Sequence, residues 1–180
     1  RVILAWPQTY MNLSGVAARE LVNYYKIDSK SILVIHDDMD VEVGRVKASM
    51  GGGTGGHNGL VSLLGELDFD FARIRIGVGR PERKLFGGDW SPWILSPPTS
   101  LELEAFDRSV KIAAEGAAIW AASGLAAVQN RINKKPPKAK AEAGQEGGEP
   151  IRQVAGGSDP VKPKIMEPEN SGGGDSGGSD

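Results

Sequence analysis

The run Gly51-Gly52-Gly53-Thr54-Gly55-Gly56-His57-Asn58-Gly59-Leu60 sets six glycines around one imidazole and one amide. Glycines strip bulk from a loop, so a ligand can lie directly on backbone N–H groups. His57 and Asn58 then stand at the start of a helical pattern, where a titratable ring and an amide can face that ligand. A glycine turn with Asn58 as helix cap is the competing reading. Two more polar groups follow apolar, strand-like runs: Asn12, and the cluster His36-Asp37-Asp38-Met39-Asp40. Asp37 at a strand end can accept an imidazole N–H, hold its tautomer and stabilise its charged form. Alternatively, any one of Asp37, Asp38 and Asp40 simply caps a turn. The amides of Asn12 and Asn58 both donate and accept, which suits a peptide backbone, an ester carbonyl or a positioned water. His36, inside an apolar run, reads as a core histidine.

Other chemistries fit less well. The glycine loop ends in Gly55-Gly56-His57 where a P-loop needs Gly-Lys-Ser/Thr. Gly77-Val78-Gly79 lacks the third glycine and the helix of a dinucleotide site. There is no Gly-x-Ser-x-Gly elbow and no cysteine, so nucleophilic serine or cysteine catalysis, disulfides and thiolate zinc sites are set aside. A metal on the acidic cluster is disfavoured, because alternate strand residues point to opposite faces and no second acidic cluster opposes it.

The elements that must hold these groups alternate. Val2–Trp6, closed by Pro7, and Ser31–Ile35 read as buried strands, and Val41–Ala48 and Ala72–Val78 as alternating ones. Helical spacing covers Asn12 to about Lys26, with Ser14 as candidate cap, and Asn58–Leu67. Trp93–Leu95 is expected as a short strand. Thr99 to about Ala122 is expected as a long helix broken at Gly124, with a shorter helix to Asn133. Strands alternating with helices make an α/β layered fold, whose ligands bind beyond the carboxyl ends of strands. Tyr10-Met11-Asn12, His36-Asp37-Asp38 and His57-Asn58 all fall at such ends, so three segments can converge on one cleft.

Composition divides the 180 residues in two. Residues 1–133 carry the apolar runs. Residues 134–180 are rich in Lys and Pro, then in Gly, Glu and Ser, and read as a disordered tail. The net charge of −2 hides a body of +3 over residues 1–140 and an end of −5 over residues 141–180. A mildly basic body is compatible with a nucleic-acid partner. Arg45 and Lys47, and the group Arg80 to Lys84, are candidate phosphate contacts against a reading as solvated surface. No apolar run approaches the ~20 residues that span a bilayer and no signal peptide is seen, so the expectation is a cytoplasmic protein with no membrane partner.

Four segments, in order and spacing, resemble bacterial-type peptidyl-tRNA hydrolase. They are Tyr10-Met11-Asn12-Leu13-Ser14-Gly15, Ile35-His36-Asp37-Asp38-Met39-Asp40, Gly55-Gly56-His57-Asn58-Gly59-Leu60 and Arg73-Ile74-Arg75-Ile76-Gly77-Val78-Gly79-Arg80-Pro81. The resemblance covers about residues 1–133. It implies a three-layer α/β fold with a mixed twisted sheet flanked by helices. It also implies hydrolysis of the ester joining a peptide to tRNA, without metal or other cofactor, with peptidyl-tRNA as partner and a monomer at full length. In the family a histidine activates the water and an aspartate holds that histidine; the aspartate matches Asp37. Asn12 and Asn58 match amides that bind the peptide and tRNA end and place the water, Asn58 thereby sharing in catalysis. Tyr10 matches an aromatic position beside the tRNA terminus, and Met11 and His57 match cleft-lining positions.

Two departures accompany the match. The family's opening strand, its Asn-Pro-Gly turn and the Arg-His-Asn carrying the catalytic histidine are not found, and the chain opens on Arg1. The N-terminal part is therefore expected to be missing, and this chain by itself to be inactive and marginally stable. Members of the family often carry another basic residue near the position of Ser49, so tRNA contact there is expected to be weaker. The alternatives are a non-catalytic RNA-binding relative and a metal-dependent hydrolase. Retention of Asp37, Asn12 and Asn58 together favours the enzyme.

Overall fold

A computed structural model describes residues 1–81 and 90–134. The elements in order are α1 (Ser14–Tyr25), β1 (Leu33–Asp38), β2 (Val46–Met50), α2 (Asn58–Leu67), β3 (Ala72–Gly77), α3 (Ser91–Leu95) and α4 (Ser100–Ile132). The strands form a mixed sheet in the order β1-β3-β2. β1 runs parallel to β3, with Asp37 opposite Ile76, and β2 runs antiparallel to it, with Ala48 opposite Ile74.

Strand alternation divides the side chains between two faces. Val46, Ala48 and Ile74 pack with Ala113 and Val128 of α4 on one face. Leu60, Leu63 and Leu67 of α2 pack with Phe71, Val34 and the Ala18–Val22 side of α1 on the other. Helix, sheet, helix is the three-layer arrangement expected. α1 and α2 are joined by the Gly15 N–H on Ser62 Oγ at 2.9 Å and by an Arg19–Glu66 ion pair.

Four local expectations are corrected. Val2–Trp6 is not a strand. It has no regular secondary structure and is exposed, with Leu4 and Trp6 at 92% and 86%, because no neighbouring strand among the described residues takes its hydrogen bonds. Ser14 does not cap α1. Its hydroxyl turns back to the Met11 carbonyl, and the helix follows a 3-10 turn over Met11–Leu13. Val41–Arg45 forms a tight turn rather than the start of β2, closed by Arg45 N–H on the Glu42 carbonyl. Trp93–Leu95 is helical in α3. Pro92 in its first turn favours the helix, and the Trp93 indole N–H is drawn to the Gly79 carbonyl at 3.1 Å.

α4 behaves as the sequence suggests. Thr99 opens it with a reciprocal capping box to Glu102, and Gly124 leaves helical geometry at φ 76°. The arms fold back on one another there, since Arg131 Nη2 reaches Glu115 Oε1 at 3.0 Å. Along a straight helix those residues would stand ~24 Å apart. Contrary to expectation, α4 is long and apolar enough by composition to cross a bilayer. It packs instead on the sheet through Ala113 and Val128.

Candidate active site

Asp37 sits at the carboxyl end of β1, on a sheet edge that opens toward the start of α2. There Asp37 Oδ1 lies 3.2 Å from His57 Nε2, although the two residues are 20 apart in sequence. His57, not Asn58, is the cap of α2. Its Nδ1 accepts the backbone N–H of Gly59 at 3.1 Å and of Leu60 at 3.3 Å. Asn58 is the first helical residue and is exposed.

These groups line an open cleft. Met11, Thr54–Asn58, Asp37–Met39, and Ser91, Ile94 and Leu95 of α3 complete its lining. Of the three expected segments, His57-Asn58 lines the cleft in full, the second through Asp37 and Asp38 without His36, and the third through Met11. Its neighbours Tyr10 and Asn12 are exposed and stand outside the cleft lining. Arg45 and Lys47 also stand outside it. Lys47 is opposite Arg75, which is opposite His36, so the three make a cross-strand row on one face. Of the second basic group, Arg80 is bound to Asp40 at 2.7 Å and stacks on Trp90, while Arg83 and Lys84 lie outside the described residues.

The electrostatics sort the acids. The His57 hydrogen bond, against the opposing effect of burial, holds the Asp37 carboxyl below its ordinary range. For Asp38 burial acts upward, but the Arg75 hydrogen bond at 2.7 Å and the Asp40 N–H outweigh it, leaving a net lowering. Asp37 raises the proton affinity of His57 through the same bond, while burial works against it. The α2 cap also works against it, because a proton on Nδ1 would displace two N–H donors. His36 is buried as expected. Burial lowers its pKa, its Nδ1 meets the Asp37 carbonyl at 2.7 Å, and its ring meets His57 edge-on at 5.3 Å.

Sequence reasoning missed Arg73. The sequence places Arg73 and Arg75 in an alternating strand and assigns them no role in the site. Arg73 is instead 2% exposed, donates to the carbonyls of Gly52 and Gly53 at 2.8 Å each, and lies over Phe71. The signal available was its place among β-branched and apolar residues in a strand that both neighbours cover. The guanidinium shapes the glycine loop from beneath.

Fold and cleft define a three-layer α/β protein with a carboxylate, an imidazole and an amide at the carboxyl end of its sheet. The family model for peptidyl-tRNA hydrolase matches residues 1–141. A peptidyl-tRNA hydrolase of Rhodococcus erythropolis is 39% identical over 134 residues, which cover 74% of this chain and 69% of the relative. That of Alkaliphilus metalliredigens is 42% identical over 134 residues, 74% and 70%. A solved peptidyl-tRNA hydrolase in complex with N-propanol superposes with a TM-score of 0.66 at 32% identity. The chain spans 65% of that solved chain, and 73% of this chain is covered. The chain belongs to the peptidyl-tRNA hydrolase family. The family match begins at residue 1, so it lends no support to the expectation of a missing N-terminal part.

Proposed function

We propose that the cleft hydrolyses the ester of peptidyl-tRNA, releasing tRNA for reuse in translation. The observation that carries this is the Asp37 carboxylate held ionised beside an exposed Asn58 in an open cleft, within a chain of this family. Asp37 supplies a fixed negative charge that can orient and stabilise an imidazolium, and Asn58 an amide for the carbonyl or the water. Met11, Ile94 and Leu95 give the cleft apolar walls for the peptide. Tyr10 and Asn12 are exposed on either side of Met11, which leaves them accessible to the tRNA end in this reading. Arg45 and Lys47 enter no ion pair among the described residues, so their charge remains open to phosphates. The partner is tRNA and the expected compartment the cytoplasm.

Neither imidazole is placed to take a proton from water. His36 is buried, and both nitrogens of His57 are bound. Turnover by this chain is therefore expected to be low. The test is release of free tRNA from N-acetyl-aminoacyl-tRNA without added metal, with and without added imidazole. Slow release accelerated by imidazole supports the reading. Tight tRNA binding with no release under either condition would replace it with a non-catalytic RNA-binding role.

A further inference from the structure

The His57 ring has no hydrogen-bonding capacity left over. Backbone amides can only donate, so the nitrogen facing Gly59 and Leu60, Nδ1, carries no proton. The ring proton then sits on Nε2, aimed at Asp37 Oδ1. The ring cannot slide to serve another partner. Its side chain is only 17% exposed, it meets His36 edge-on, and its Cε1 lies against Gly59. A Cβ on Gly59 would stand 2.9 Å from Cε1 and 2.7 Å from Met11 Sδ, so glycine is what lets ring and thioether close over the first turn of α2. A side chain bound at both nitrogens offers a substrate neither a lone pair nor an N–H.

We infer that His57 is a positioning residue that ties Asp37 to the N-terminus of α2, leaving Asp37 Oδ2 as the carboxylate oxygen presented to the cleft. Its importance for turnover rests on the hydrolase reading, but the tie does not. The groups that face the ring are His36, Asp37 and Asp38 from β1, and the first-turn N–H groups of α2. One imidazole thus does two jobs: it caps a helix and it aims a carboxylate.

The two jobs can be separated. Asn is among the best N-caps but is too short to reach Asp37, so His57→Asn keeps the first and loses the second. The experiment is NMR on the full chain, wild type and His57→Asn. Long-range nitrogen–proton correlations at mildly alkaline pH report the tautomer, and carboxyl carbon shifts report the titration of Asp37. The expected result is a proton on Nε2 in the wild type, and an upward shift of the Asp37 midpoint in the variant with little change in thermal midpoint. A proton on Nδ1, or an unchanged Asp37 titration in a folded His57→Asn, overturns the assignment. Failure of the hydrolase reading would show in tRNA release and leave these spectra as they are.

Discussion

Three carboxylates within four residues repel one another, and this fold gives each a different hydrogen-bond partner. Asp37 meets His57, Asp38 meets Arg75 and Asp40 meets Arg80. Two of these pairs join permanent charges that brace the turn after β1, while the third is a hydrogen bond from an imidazole ring. That difference picks out Asp37 as the acid available for chemistry. Asp37→Asn keeps the shape and removes the charge. In any assay where the chain turns over, release of tRNA should fall by roughly 10²–10⁴-fold, with an unchanged circular dichroism spectrum. The pH dependence follows from the same pairs. Asp37 and Asp38 titrate below their ordinary value of 3.8 in the folded chain. The unfolded chain therefore takes up protons first on acidification. Their stabilisation is complete above that range and is lost as pH falls through the lowered folded values. The urea midpoint should drop over that window, and less steeply in Asp38→Asn.

Among the elements, those with strong local signals were legible. Asn58–Leu67 is read to the residue, and the Gly124 break and the Thr99 start of α4 are both visible in the chain. Glycine at positive φ and a threonine three residues before a glutamate are local chemistry, so sequence shows them directly. Val2–Trp6 was misread because a strand is completed by its neighbour, which apolar runs do not name. α3 was misread because three apolar residues carry no period, and the deciding contact, Trp93 to Gly79, comes from 14 residues away. Thr99→Ala removes the cap at its side chain and should cost about 1 kcal/mol, visible as a lower thermal midpoint. The cleft, which α4 does not line, should keep its geometry, so the His57 and Asp37 resonances should not move.

For the molecule as a whole, the site was legible as residue types and not as pairings. Asp37, His57, Asn58 and Met11 could be selected from motifs, but the Asp37–His57 bond needs β1 and the cap of α2 to be laid side by side. Arg73 was hidden for the same reason, since burial of a strand charge depends on both neighbouring layers. The tail read from composition beyond residue 134 lies outside the described residues. With residues 141–180 at a net charge of −5 it should repel phosphates, so its removal is expected to leave tRNA release nearly unchanged. A large drop in turnover on deleting residues 135–180 would refute this.

The end of α4 meets the sheet in one further way. Asn133 Oδ1 accepts the Ala48 N–H and its Nδ2 donates to the Ala48 carbonyl, both at 2.8 Å. Those are the outward groups of β2, at the edge of the sheet. The Asn133 amide thus plays the part of a fourth strand's peptide bond without offering a further edge, and Gln129 Nε2 donates to the same carbonyl at 3.4 Å. A bare β2 would instead be a template on which another copy could lay its own strand, and each addition would expose the next. Asn133 is in that sense a chain terminator for polymerisation, written as one residue. Asn133→Ala should leave the monomer folded at low concentration and bring on concentration-dependent association, measurable by light scattering. Unchanged scattering across that range would show that the edge is guarded by something else.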